Sequence, residues 1–206
     1  MAELIVVRHG QAAFGQDNYD QLSDVGHQQS QLAGKALADM GWVPDRLITG
    51  TLTRQRDTLS SMGFNDSHEE HAGFNEYDFH NLLQTRFPSG VPDLVIGDRK
   101  VHFRTLRETI LEWQDGGLHA ASESWIDFSA RVAAARAFAA DTDARRVLVV
   151  SSGGPIGQMT ANSLNAPDPM MMELNLQVKN ASFTKFIFSK GRVFLQGFNA
   201  TPHLDV

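Results

Sequence analysis

The chain has 206 residues, 42% of them hydrophobic, with no cysteine and a formal net charge of −6. That length and apolar content suffice for one buried core, and the missing cysteines exclude disulfides, thiolate catalysis and thiolate-bound metals. The negative balance argues against a nucleic-acid-binding face, yet a local arginine pocket could still govern the field around a small anion.

At the N-terminus, Met1-Ala2-Glu3-Leu4 carries neither the basic region nor the apolar stretch of a signal peptide. No run approaches the roughly 20 apolar residues of a membrane helix. A cytoplasmic location with no membrane partner is therefore expected. Residues 3–8 form the first predicted strand, because the run Leu4-Ile5-Val6-Val7 stops at Arg8-His9-Gly10. In a parallel α/β sheet the carboxyl end of a strand is where ligands bind. An imidazole there can be a nucleophile, and a guanidinium beside it can hold phosphate oxygens. Taken alone, the three residues read equally well as a surface turn.

The spacing predicts a helix over 23–40, with Leu32, Ala36, Leu37 and Met40 on one face and Gly41 as its stop. Residues 46–49 are a short candidate strand and 51–62 a second helix. The stretch 63–71 holds His68-Glu69-Glu70-His71, which has ligand-type residues without the helical spacing of a zinc motif. No metal is expected there. From 79 to about 115, Pro88, Gly90, Pro92 and Gly97 interrupt short helical patterns. This predicts an irregular cap over the sheet edge, with the insertion ending near residue 123.

Ser124 and Asp127 have the spacing of a capping box, ahead of a helix whose apolar face is Phe128, Val132, Ala135, Phe138 and Ala139. Val147-Leu148-Val149-Val150 reads as a buried strand ending at Ser151-Ser152-Gly153-Gly154. A helix over 155–164 follows, with Pro155 suited to its first turn. Residues 182–189 and 192–198 read as strands joined at Lys190-Gly191. The alternation gives an α/β fold in three layers: a mostly parallel sheet with helices on both faces. Residues 1–206 are read as one domain.

Three segments stand in order along the first half: Arg8-His9-Gly10; Leu22-Ser23-Asp24-Val25-Gly26 ahead of Gln28-Gln29; and Leu52-Thr53-Arg54-Gln55-Arg56-Asp57-Thr58. The series resembles the histidine phosphatase superfamily, also called the phosphoglycerate mutase-like family, from Glu3 to about Leu204. The resemblance implies a metal-independent phosphomonoester phosphatase with no cofactor, working through a phosphohistidine on His9. Its partner would be a small phosphorylated substrate, not a nucleic acid. It further implies a phosphate clamp from Arg8 and Arg54, with Arg56 as the rival cation. Glu76 would be the general acid, with Asp78 as the rival carboxylate.

The resemblance breaks at Ser152, where the family carries a histidine that donates to the phosphate opposite the nucleophile. A hydroxyl is a shorter, uncharged donor, and losing one preorganised donor costs about 10²–10³ in rate. A slow phosphatase is the reading that follows. His80, four residues beyond Glu76, is a candidate to replace the imidazole or else a surface histidine. Gly153 and Gly154 either offer backbone N–H groups to phosphate or only make the strand-to-helix turn. Ser152 as a hydrolase nucleophile would need a glycine at 150, where valine stands. The alternative from another class is a catalytically impaired protein that binds a phosphorylated ligand, and a phosphoglycerate mutase is the third reading.

Overall fold

In the computed structural model, which describes residues 2–13, 20–189 and 192–204, the apolar runs of the sequence are the strands of one six-stranded sheet. The elements in chain order are β1 (Ala2–Arg8), α1 (Asp24–Asp39), β2 (Arg46–Thr49), α2 (Thr53–Ser61), β3 (Glu69–Glu70) and a 3-10 turn (Ala72–Phe74). They continue with α3 (Phe79–Arg86), α4 (Asp93–Gly97), α5 (Arg99–Gln114), α6 (Trp125–Ala140), β4 (Arg146–Ser151), α7 (Gly153–Ser163), α8 (Pro169–Gln177), β5 (Phe183–Ser189) and β6 (Arg192–Ala200). The sheet order is β3-β2-β4-β1-β5-β6. The first three pairings are parallel and the last two antiparallel. The junction at Lys190-Gly191 lies outside the described residues.

Side chains alternate across β1, so its run is apolar on both faces. Leu4 and Val6 join Val147, Val149, Phe128, Ile156 and Met159 in one buried cluster, while Ile5 and Val7 join Leu148, Val150, Leu37 and Leu59 in the other. Helix α1 therefore follows β1 on one face of the sheet, and α7 follows β4 on the opposite face. Because β1 and β4 are neighbours, the chain leaves them in opposite directions. That divergence opens the crevice at the strand ends where α/β folds bind ligands.

Three expectations change. The buried face of α1 is Gly26, Ser30, Ala33, Gly34 and Leu37, and both Leu32 and Met40 are exposed. Small residues face inward because α1 packs almost backbone to backbone. A Cβ added at Gly34 would lie 2.0 Å from the carbonyl oxygen of Met62, at the end of α2. Alanine normally improves a helix interior by about 1 kcal/mol over glycine, but overpacking against backbone costs about 1–3 kcal/mol. Because the approach to backbone is as close as 2.0 Å, the cost falls at the upper end, and Gly34→Ala should lower stability by up to about 2 kcal/mol, a fall of several degrees in thermal melting. An unchanged melting temperature would show that the two helices can separate freely.

The expected irregular cap is helical. Asp78 caps α3 by accepting from the Asn81 N–H at 3.0 Å, and Asp98 caps α5 by accepting from Lys100 and Val101. The prolines and glycines punctuate three helices; they do not dissolve one. Arg86 ties α3 to α5 through Thr109, Glu108 and Glu112. Helix α7 begins at Gly153, ahead of the expected Pro155, and α8 was not anticipated, although Pro169 occupies its first turn.

Candidate active site

His9 stands one residue past β1, and its backbone N–H donates to the Ser151 carbonyl of β4 at 2.9 Å. The ring is buried, 4% exposed. Its Nδ1 lies 2.7 Å from the Gly10 carbonyl, which can only accept, so Nδ1 carries the proton. Its Nε2 receives the Arg54 Nε–H at 3.2 Å, which can only donate, so Nε2 presents a lone pair. The partners fix one neutral tautomer. Burial pushes the imidazole pKa well below its ordinary value, and the Arg8 and Arg54 cations push it further.

Arg54 sits in the first turn of α2 and is itself buried. Its Nη1 pairs with Asp20 at 2.8 Å, and the other Asp20 oxygen accepts from the Thr53 N–H at 2.9 Å. One carboxylate thus anchors both the guanidinium and the start of its helix. The Thr58 hydroxyl donates to the Arg54 carbonyl and accepts from the Gly10 N–H, joining α2 to the turn beneath His9. Arg56, the rival cation, is exposed and lies 3.4 Å from Glu70. Arg8 donates to the Val178 carbonyl at the end of α8.

Glu76 follows the 3-10 turn. Both its oxygens accept the Gly154 N–H, at 3.0 and 3.1 Å. Burial raises its pKa; the Gly154 N–H, Arg8 and Arg54 oppose that rise without cancelling it. A Cβ at Gly154 would lie 2.2 Å from Glu76 Oε1 and 2.6 Å from the Tyr77 ring. Glycine there is a requirement of close approach, and the amide offered to phosphate in the sequence reading is spent on Glu76. Gly153 backs onto Arg8, its notional Cβ 3.7 Å from the guanidinium carbon and 2.3 Å from Asn175 Oδ1. Asn175 in turn donates to the Tyr77 hydroxyl at 2.9 Å.

Ser152 is fully buried and adjoins His9 in register, since Arg8 pairs with Ser151. Its hydroxyl accepts from Gln55 Nε2 at 2.9 Å. His80, by contrast, is exposed on α3 and hydrogen-bonds Gln84 Nε2 at 2.8 Å. Asp78, the rival carboxylate, is spent on capping α3. His71 accepts from the Gly73 N–H and packs its ring 5.1 Å from that of Phe138. Among the described residues no group of three or more His, Asp or Glu side chains could hold a metal ion. No described helix is long and apolar enough to cross a membrane.

Residues from positions 8, 9, 54, 76 and 152–154 thus gather around one spot at the ends of β1 and β4. Asp20, Gln55 and Asn175 were not anticipated. Their partners are far away in sequence, so no local pattern marks them, although Gln55 adjoins a motif arginine.

A family model described as the histidine phosphatase superfamily (branch 1) matches residues 4–201. No curated protein matches the chain. Among solved structures, a phosphoserine phosphatase of Entamoeba histolytica in complex with 3-phosphoglyceric acid superposes with a TM-score of 0.70 at 20% identity, covering 99% of this chain and 100% of that one. A mycobacterial glucosyl-3-phosphoglycerate phosphatase gives 0.67 at 21% identity, covering 98% and 100%. A putative alpha-ribazole-5'-P phosphatase from Escherichia coli gives 0.68 at 19% identity, covering 97% of each chain. At these identities the likeness is one of fold.

Proposed function

Because the chain belongs to the histidine phosphatase superfamily, we propose that it hydrolyses phosphomonoesters with His9 as the nucleophile. The observation that carries this reading is the locked tautomer of His9, neutral and with its Nε2 lone pair on the arginine side. In the first step Nε2 attacks phosphorus and the ester P–O bond breaks. The departing oxygen takes a proton from Glu76, whose raised pKa suits it to hold one. In the second step water attacks the phosphohistidine, Glu76 accepts its proton, and the P–N bond breaks to return neutral His9 and inorganic phosphate.

Arg8 and Arg54 spread positive charge over the phosphoryl oxygens, the main protein contribution in phosphoryl transfer. The Arg54 Nε–H occupies the Nε2 lone pair at rest, so an arriving phosphate must draw it away before attack. The two cations do the work a divalent ion would otherwise do. A panel of phosphomonoesters assayed with excess chelator tests the reading: turnover should survive, and a strict divalent requirement would sink the mechanism.

The pH dependence follows from the two shifts. Attack needs His9 neutral, which holds above its lowered pKa; leaving-group protonation needs Glu76 protonated, which holds below its raised pKa. kcat/KM, which reports the free protein, should therefore fall as pH rises through the raised Glu76 pKa. Glu76→Gln should remove that alkaline limb and cut kcat by about 10²–10⁴ for alkyl esters, and by far less for p-nitrophenyl phosphate, whose leaving group needs no proton. An unchanged alkaline limb in the variant would assign the acid to another group.

A second reading, a ligand-binding protein with impaired catalysis, is favoured by Ser152 standing where the resemblance calls for an imidazole. A low-micromolar phosphate-ester complex with no turnover would select it. A phosphoglycerate mutase would instead return the phosphoryl group to an alcohol of a phosphoglycerate, detectable as isomer exchange without phosphate release.

A further inference from the structure

We propose that Gln55 is a positioning residue that fixes the Ser152 hydroxyl as a hydrogen-bond donor to a phosphoryl group held at His9; this rests on the phosphatase reading. The argument begins with what Ser152 does not do. It is the N-cap of α7, where a serine oxygen ordinarily accepts an N–H from the second or third helical residue. Here the third is Pro155, which has no N–H, and the N–H of the second, Gly154, is taken by Glu76. The Ser152 side chain makes no capping bond.

The hydroxyl turns to Gln55 instead, and the polarity of that contact is forced. Gln55 Oε1 faces the Leu52 N–H at 3.2 Å, which can only donate. Gln55 Nε2 faces the Phe74 carbonyl at 2.9 Å, which can only accept. The amide therefore has one orientation, and its second N–H goes to Ser152 Oγ at 2.9 Å. An amide nitrogen accepts nothing, so the Ser152 proton cannot point back along this bond. It is held for another acceptor, and the donated bond polarises the O–H toward giving it. Both side chains are fully buried, and Ser152 adjoins His9 in register. The pair thus offers an oriented, desolvated donor beside the nucleophile, where preorganisation counts most.

A double-mutant cycle on Gln55→Met and Ser152→Ala tests the pairing, because methionine keeps the volume while removing the amide. The readouts are kcat on p-nitrophenyl phosphate, inhibition by vanadate and thermal melting. Ser152→Ala is expected to cut kcat by about 10²–10³. Gln55→Met should cut it about tenfold when Ser152 is present, and less than twofold when residue 152 is alanine. The vanadate inhibition constant should follow the same coupling. A space-filling role alone would instead lower melting temperature and act independently of residue 152.

Additive effects of the two substitutions would overturn the proposal and leave the phosphatase reading standing on turnover. If the unaltered protein turns over no ester, the phosphatase reading falls. The vanadate arm, read as direct binding, then still decides whether Gln55 acts through Ser152. Binding of neither vanadate nor inorganic phosphate would overturn both.

Discussion

Replacing His9 by alanine should abolish turnover, because in the proposed mechanism the residue supplies the atom that bonds to phosphorus. Loss of a nucleophile in covalent catalysis removes on the order of 10⁶ in kcat, far beyond what a misplaced ligand would cost. The variant should also fail to trap phosphate. Rapid quenching of the unaltered protein with a radiolabelled ester should leave label on the chain that is stable to base and released by acid, the signature of a phosphoramidate. The ring is buried and bonded at both nitrogens, so thermal melting must accompany the assay. A His9→Ala protein that melts near the original temperature and still hydrolyses esters would remove His9 from the chemistry.

How far this site could be read from the sequence differs by residue, for physical reasons. The strands were readable because β1 and β4 are buried on both faces, and a continuous β-branched run is what such strands require. Helix α1 was readable as a helix but not by its face. Its contact with α2 is so close that glycine, serine and alanine line it, and hydrophobic periodicity cannot see residues selected for smallness. Helices α3 to α5 were obscured because their ends carry prolines and glycines at short intervals, while the aspartates that cap them read as loop residues. Arg8, His9 and Arg54 are legible as candidates because each lies on a short segment with a recognisable neighbour, and Glu76 as what the family resemblance implies. Asp20, Gln55 and Asn175 act through partners 34, 97 and 98 positions away, and such pairings leave no local trace. The same holds for the two glycine amides: only the fold discloses that Glu76 already occupies one of them.

Arg54→Ala should be nearly as damaging as loss of the nucleophile, with a different signature. An arginine that stabilises the transferring phosphoryl group is worth about 10³–10⁵ in kcat, and Arg54→Lys should recover little of it. A lysine offers one compact ammonium, whereas Arg54 serves Asp20 through Nη1 and His9 through Nε at once. The pH profile should move as well. Arg54 is one of the cations that disfavour protonated His9, so its removal lets that pKa rise toward its ordinary value. Activity that requires neutral His9 is then lost at a higher pH on the acid side, and the acid limb of kcat/KM shifts upward. The substitution also strips Asp20 of its guanidinium, leaving a carboxylate beside the place of an anionic substrate. Adding Asp20→Asn to Arg54→Ala should therefore improve phosphate and vanadate binding relative to the single variant, while kcat stays low. If Arg54→Ala leaves the acid limb where it was and Asp20→Asn changes nothing in its background, Arg54 holds only its helix in place, and the clamp must be sought among the other cations around β1.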